Sequence, residues 1–296
     1  MPEKIRVLVV DDSTFMRGAL VRMIEKDPRF KVIDIAVNGK EGVEKALALK
    51  PDVITMDVEM PIMNGIEALT EIMAGPRIPV VMVSTLTESG AATTLKALEL
   101  GAVDFIPKAL ADKDKNIFRG SEEIHTKLAN AAGAANGRAS VIAAQAASAP
   151  KITLPNPATT TRVAAKVVLI GSSTGGPKAL QVLLNQLPAN MPVPVVVAQH
   201  MPPEFTLALA KRLDETTQPK VVEAKVGETL LAGTIYIAPG GMHLRLTPTG
   251  VTIDTDNGES PYKPSVVVLA ASASALFGKQ ILAVMLTGMG SDGAKE

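Results

Sequence analysis

Three apolar runs in the second half of the chain each end in a residue type suited to acyl transfer. Val167-Val-Leu-Ile170 stops at Gly171-Ser-Ser-Thr-Gly-Gly176, Pro192-Val-Pro-Val-Val-Val-Ala198 delivers Gln199 and His200, and Ile281-Leu-Ala-Val-Met-Leu286 delivers Thr287-Gly-Met-Gly-Ser-Asp-Gly293. A serine hydroxyl is a poor nucleophile until a histidine takes its proton, and the histidine needs a carboxylate to fix its tautomer. Ser172 and Ser173 are equivalent on this ground. The chain order Ser, His, Asp matches none of the familiar hydrolase orders, which is no obstacle because such triads are defined by geometry. Glycines at 288, 290 and 293, and at 175 and 176, let backbone N–H groups approach a developing oxyanion. Each position alone has a plainer reading: the hydroxyls cap a helix, His200 is an ordinary strand-end histidine, Asp292 is a turn residue. Their joint placement favours catalysis. The Ser-rich loop is not a P-loop, since it lacks both the four-residue spacing and the Lys-Ser/Thr ending.

A second constellation occupies the first half. Asp11 and Asp12 follow the run Ile5–Val10, Asp57 follows Val53–Met56, Ser84 follows Val80–Val83, and Lys108 lies just past Val103–Ile106. Carboxylates brought together repel unless a cation sits among them, and an oxygen-rich site with few protein ligands suits Mg²⁺. A neighbouring lysine can pair with an incoming anion, and Ser84 can donate a hydrogen bond to it.

These residues need elements that converge them. At 296 residues, with 47% apolar content, two domains with separate cores are expected. Apolar runs alternate with helical spacing throughout, which predicts parallel α/β sheets, and in such sheets working residues sit beyond the carboxyl ends of strands. In the first half the alternation gives five βα units, a doubly wound sheet, with Ser13 or Thr14 capping the first helix. In the second, a helix is expected over 179–187, another over 205–213, a hairpin around 244–246 and 251–253, and a helix over 265–277. Between them the composition turns to Ala, Ser, Thr and Pro, too poor in large apolar groups to offset the entropy of ordering. The expected domains are therefore 1–128 and 163–296, joined by a linker over 129–162. His125 falls on a polar helix face and is expected at the surface. His243, just before the hairpin, is expected to be structural or at the rim of the cleft. Lys+Arg and Asp+Glu balance at 30 each, so no global field points to nucleic acid, and no basic recognition helix appears. There are no cysteines, which excludes disulfides, thiolate metal sites and a cysteine nucleophile. With no signal-peptide pattern at the start and no apolar run near the ~20 residues of a membrane span, a cytoplasmic protein without membrane insertion is expected.

Asp11-Asp12, Asp57-Val-Glu-Met-Pro61 to Gly65, Ser84 and Lys108 together resemble a two-component receiver domain over residues 4 to 128. The resemblance implies a flavodoxin-like fold in which Asp57 is the phosphoacceptor and Asp11, Asp12, Asp57 and the Glu59 carbonyl hold Mg²⁺. It also implies that Ser84 and Lys108 contact the phosphoryl group and that Phe105 is an aromatic switch. Ala109 stands where receivers usually have proline. From Lys166 onward, Gly171-Ser-Ser-Thr-Gly-Gly176, Gln199-His-Met-Pro202, Tyr236-Ile-Ala-Pro-Gly240, Lys263-Pro-Ser-Val266 and Thr287-Gly-Met-Gly-Ser-Asp-Gly-Ala294 resemble the methylesterase domain of the chemotaxis protein-glutamate methylesterases, the CheB family. By that register Ser173 is the nucleophile, His200 the general base and Asp292 its orienter. Thr174 belongs to the site, and the Met289 backbone N–H helps form the oxyanion hole. The implied activity is phosphorylation-stimulated hydrolysis of glutamate γ-methyl esters, and deamidation of some glutamines, on methyl-accepting chemoreceptors, under control of a CheA-type histidine kinase. No cofactor is implied for the esterase step. The rival expectation is a non-enzymatic, phosphorylation-dependent adaptor that holds receptors through an inactive esterase domain. Family members continue through a further strand and helices, so the second domain is expected to be shortened, with Asp292 close to a fraying terminus.

Overall fold

The computed structural model describes residues 4–108, 120–133, 165–255, 260, 262–288 and 292. The chain divides into two compact units, Met1–Lys151 and Ile152–Glu296.

The first unit is a five-stranded sheet of order β2-β1-β3-β4-β5, parallel at every pairing. Its strands are β1 (Ile5–Val10), β2 (Phe30–Ala36), β3 (Val53–Asp57), β4 (Val80–Ser84) and β5 (Asp104–Pro107). Every residue of β3, β4 and β5 is buried, as expected where helices cover both faces of a parallel sheet. The helices are α1 (Thr14–Ile24), α2 (Gly39–Leu49), α3 (Gly65–Ala74) and α4 (Glu88–Leu100), followed by α5 over the described residues 120–133. Ser13 caps α1 by accepting from Met16 N, and Asn64 with Glu67 forms a capping box on α3, so local chemistry sets where these helices begin.

The inner face of α5 sets both the extent of the helix and the burial of His125, where a solvated side chain was expected. That face, Ile124, Leu128, Ala131 and Ala132, belongs to the core that includes Val7, Leu20, Ile24 and Ile106. The helix therefore runs past the expected boundary at 128 to at least residue 133, alanines being small enough to pack where larger side chains would not fit. His125 lies on that inner face and is buried, not solvated. Its ring stacks on Phe30 with centroids 5.5 Å apart, and Nε2 lies 2.8 Å from Met23 O and 3.1 Å from Ile24 O at the end of α1. The rest of the expected linker, 134–162, lies outside the described residues.

The second unit holds another parallel sheet, β12-β6-β7-β9-β8. It is built from β6 (Val167–Ser172), β7 (Val195–Gln199), β8 (Lys220–Glu223), β9 (Thr234–Ile237) and β12 (Ile281–Met285). The antiparallel hairpin of β10 (His243–Thr247) and β11 (Gly250–Asp254) stands apart from it. Helices α6 (Gly176–Leu184), α7 (Pro203–Thr216) and α8 (Val266–Phe277) complete the unit. α6 begins three residues earlier than its apolar pattern suggests, because Pro177 sits in its first turn, where a missing N–H costs nothing. The hairpin packs with α8 around Leu244, Leu246, Val251 and Leu269. His243 is fully buried, in accord with a structural role. Among the described residues, no helix is long and apolar enough to cross a membrane.

Candidate functional site

Both sheets reverse direction once, and each chemical cluster lies at that reversal. In the first, β1 is flanked by β2 and β3; in the second, β6 is flanked by β7 and β12. Loops leaving neighbouring strands at such a point diverge and open a crevice.

In the second unit the crevice is closed by backbone hydrogen bonds between the three loops that carry the expected triad. Ser173 N donates to Thr287 O at 2.8 Å, and His200 N to Ser172 O at 3.1 Å. Gly288 packs so tightly on the serine turn that a Cβ there would stand 2.6 Å from Ser173 Cβ. The two serines separate at once. Ser172 is buried and its Oγ donates to Gln199 Oε1 at 2.6 Å, whereas Ser173 Oγ lies 3.2 Å from His200 Nδ1. Neither hydroxyl caps α6, whose N-cap is Gly175 without a side-chain bond; the plainer reading of the loop therefore fails.

His200 Nε2 lies 2.8 Å from Asp292 Oδ2. Asp292 is far from unprotected. Its Oδ1 also accepts from Ser265 Oγ at 2.8 Å and Val267 N at 3.1 Å, and its Oδ2 from Val266 N at 2.7 Å. The carboxylate thus sits on the N-terminus of α8, where amides and the helix dipole favour negative charge. Burial pushes its pKa up, but the bonds from His200, Val266, Val267 and Ser265 outweigh burial and bring it down to about 2. An ionised carboxylate can only accept. The hydrogen of a neutral His200 ring must then be on Nε2, which leaves the Nδ1 lone pair facing Ser173.

Three contributors were not assigned from sequence. Ser265 is recognisable as an α8 cap, but its bond to Asp292 is a long-range contact. Tyr262 stacks on the His200 ring with centroids 4.6 Å apart and planes 4° from parallel; nothing local announces this. Gln199 could have been suspected, as an amide at the end of a fully buried strand. Its Nε2 donates to Ser173 O at 3.0 Å and to His200 O at 3.1 Å while Oε1 holds Ser172, so one amide ties the serine turn to the histidine turn. Gln199→Leu is expected to cost about 2–4 kcal/mol of stability, because it strands buried polar partners. Activity should fall roughly 10- to 100-fold, since a misplacement of ~1 Å in the reacting groups has that effect. Urea unfolding and turnover of the variant check both numbers. Thr174 lies in the same loop and its carbonyl accepts from Thr287 Oγ1 at 3.1 Å. Met289, the expected oxyanion donor, lies outside the described residues.

The first unit gathers Asp11, Asp12 and Asp57, with one oxygen of each within 4.8 Å of the others. Lys108 Nζ pairs with Asp57 Oδ2 at 2.8 Å. Asp11 Oδ1 accepts from Ser13 N at 2.8 Å, while Oδ2 is buried without a hydrogen-bond partner. Burial, and then the charge of Asp57, push the Asp11 pKa up to about 6. Burial also raises that of Asp57 against the pull of Lys108. Such a pocket asks for positive charge beyond one ammonium, and three converging carboxylates suit a hard divalent cation. Gly65 allows the α3 turn to reach this site, since a Cβ there would stand 1.9 Å from Asp57 O. Ser84 is buried at the end of β4 with Oγ 3.3 Å from Thr85 O and 3.4 Å from Gly90 O; no hydrogen bond joins it to Asp57. Phe105 is buried in β5, with Lys127 Nζ 4.9 Å from its ring centroid. Glu59 follows Asp57 by two residues, with its side chain exposed.

Residues 7–116 match the family model of the response regulator receiver domain, and residues 168–296 match that of the CheB methylesterase. The fold, the acidic pocket and these matches define a response regulator whose output unit is an α/β methylesterase domain. Protein-glutamate methylesterase/protein-glutamine glutaminase 1 of Shewanella denitrificans is 43% identical across 98% of this chain and 85% of its own length. The protein-glutamate methylesterase/protein-glutamine glutaminase of Vibrio parahaemolyticus is 44% identical across 98% of this chain and 84% of its own. That of Thermotoga maritima is also 44% identical, across 98% and 83%. The chain belongs to the CheB family of protein-glutamate methylesterase/protein-glutamine glutaminases.

Proposed function

We propose that this chain hydrolyses the γ-methyl esters of glutamate side chains, and the side-chain amides of some glutamines, on methyl-accepting chemoreceptors. Phosphorylation of Asp57 by a CheA-type histidine kinase raises that activity. The observation that carries the reading is the unbroken chain of contacts from Ser173 Oγ through both nitrogens of His200 to a carboxylate held ionised on a helix N-terminus. An inactive adaptor has no use for that alignment.

In the proposed reaction Ser173 Oγ attacks the ester carbonyl carbon as its proton passes to His200 Nδ1. The imidazolium so formed is stabilised through Nε2–H by Asp292. The tetrahedral oxyanion needs backbone donors; the family register assigns this to the Met289 N–H, with Thr174 part of the same site. Collapse breaks the C–O bond to methoxide, which leaves as methanol with the proton from Nδ1 and gives a glutamyl ester of Ser173. Water then attacks this ester with Nδ1 again as base, and collapse returns the proton to Ser173 and frees glutamate. An amide substrate follows the same path with ammonia as the leaving molecule.

In the receiver, Asp11, Asp12, Asp57 and the Glu59 carbonyl would hold Mg²⁺, which when bound offsets the charge of the carboxylates and the incoming phosphoryl group. The stranded Asp11 Oδ2 supports this assignment. Lys108 trades its bond to Asp57 for one to a phosphoryl oxygen; its present ion pair with Asp57 Oδ2 at 2.8 Å supports that role. Ser84, at the end of β4, and Phe105, within β5, are the proposed relays of the change.

Acetyl phosphate with Mg²⁺ should raise methanol release from methylated receptor by roughly 5- to 150-fold, the range of ordinary coupling energies. Chelation of Mg²⁺, or Asp57→Ala, should remove the increase and leave basal turnover. Stimulation that survives Asp57→Ala would reject this gating.

A further inference from the structure

Tyr262 sets an aromatic ring against the triad, and it precedes the segment from which Asp292 is held. Its ring lies parallel to the imidazole of His200 at 4.6 Å, and its backbone N–H is fixed by Ser260 Oγ at 3.2 Å. Two residues on, Pro264 leads into Ser265 and the α8 amides that grip Asp292. The lid over the histidine and the clamp on its carboxylate are therefore built from one stretch of chain.

Two hydrogen bonds hold the imidazole by its edge, one at each ring nitrogen, and leave its faces to other groups. Rotation about the Cβ–Cγ bond would exchange Nδ1 for a carbon and break both contacts. A parallel ring against one face opposes that rotation by steric contact and by stacking, and a π-face also attracts the imidazolium formed during the reaction. We propose that Tyr262 is a positioning residue for His200: it holds the ring in the orientation that keeps Nε2 on Asp292 and Nδ1 aimed at Ser173, acting through the histidine and not on the substrate. This rests on the triad reading above and deepens it.

The prediction separates an aromatic face from mere bulk. In the full chain, Tyr262→Phe should keep kcat within about twofold of the parent, while Tyr262→Leu should lower it about tenfold with KM nearly unchanged. Nitrogen-15 NMR of histidine-labelled protein supplies a readout independent of turnover, and three histidines keep the spectrum assignable. The parent and Tyr262→Phe should show His200 with its hydrogen on Nε2 alone, and Tyr262→Leu a mixture of tautomers or orientations. An unchanged His200 signal in a folded Tyr262→Leu protein overturns the proposal even if kcat falls, since the tyrosine would then act on substrate. An unchanged kcat overturns it as well. If the parent itself releases no methanol, the esterase reading fails, while the NMR comparison still decides whether Tyr262 fixes the ring.

Discussion

Ser173→Ala is expected to lower methanol release by roughly 10⁴- to 10⁶-fold, the range seen when a nucleophile acting as part of a triad is removed. Its side chain takes little part in packing; the turn is held by Ser173 N–H on Thr287 O and by Gln199 on Ser173 O, bonds that alanine keeps. Thermal unfolding of the variant should therefore match the parent within a degree or two. The neighbouring change gives the opposite pattern. Ser172→Ala takes a donor from the buried Gln199 Oε1 and should cost about 1–3 kcal/mol of stability, with turnover reduced far less than by loss of a nucleophile. Assays of the two variants side by side assign the nucleophile. Turnover retained in Ser173→Ala but lost in a folded Ser172→Ala would move that role to Ser172.

The sequence carried the strands and their order of chemistry because a buried parallel strand is a local signal: a short apolar run stopped by polar or glycine residues. Asp11, Asp57, Ser172 and His200 all follow directly from it. What lay beyond reach was contact across the fold. The run after Ser265 is wholly apolar and gives no hint that its first two backbone amides hold a carboxylate 26 and 25 residues away in sequence. For the same reason the nearness of Asp292 to the last residue suggested looseness, when four hydrogen bonds and burial hold it. The burial of His125 is hidden in the sequence because α5 looks polar by composition, while its thin inner stripe ends in alanines that count for little in a hydropathy pattern yet pack fully. The stacking of Tyr262 on His200 joins positions 62 residues apart and has no periodicity to betray it.

Asp292→Asn should be the second most damaging change, and it is informative because it alters charge with little change of shape. The parent carboxylate accepts on both oxygens, from His200 Nε2–H and Val266 N–H on one and from Ser265 and Val267 N–H on the other. A carboxamide has one oxygen and one NH₂, so whichever way it turns, a donor meets donors. If the NH₂ faces His200, the ring must take the Nδ1–H tautomer to accept from it, and Nδ1 can then no longer take a proton from Ser173. A fall in kcat of about 10⁴-fold is expected, the size observed when an orienting carboxylate is amidated elsewhere. Stability carries a second signature. The pKa of Asp292 is lowered from 3.8 to about 2, so the ionised form is the one that favours the fold. Its contribution is fully present above the unfolded value near 3.8 and is lost as the pH falls through about 2. It amounts to roughly 2 kcal/mol. Unfolding by urea should accordingly show the variant weaker than the parent at pH 7 and the gap narrowing as the pH drops below 4. A variant with near-parental kcat would remove Asp292 from the triad; a stability gap independent of pH would mean that its grip on α8 is steric and not a matter of charge.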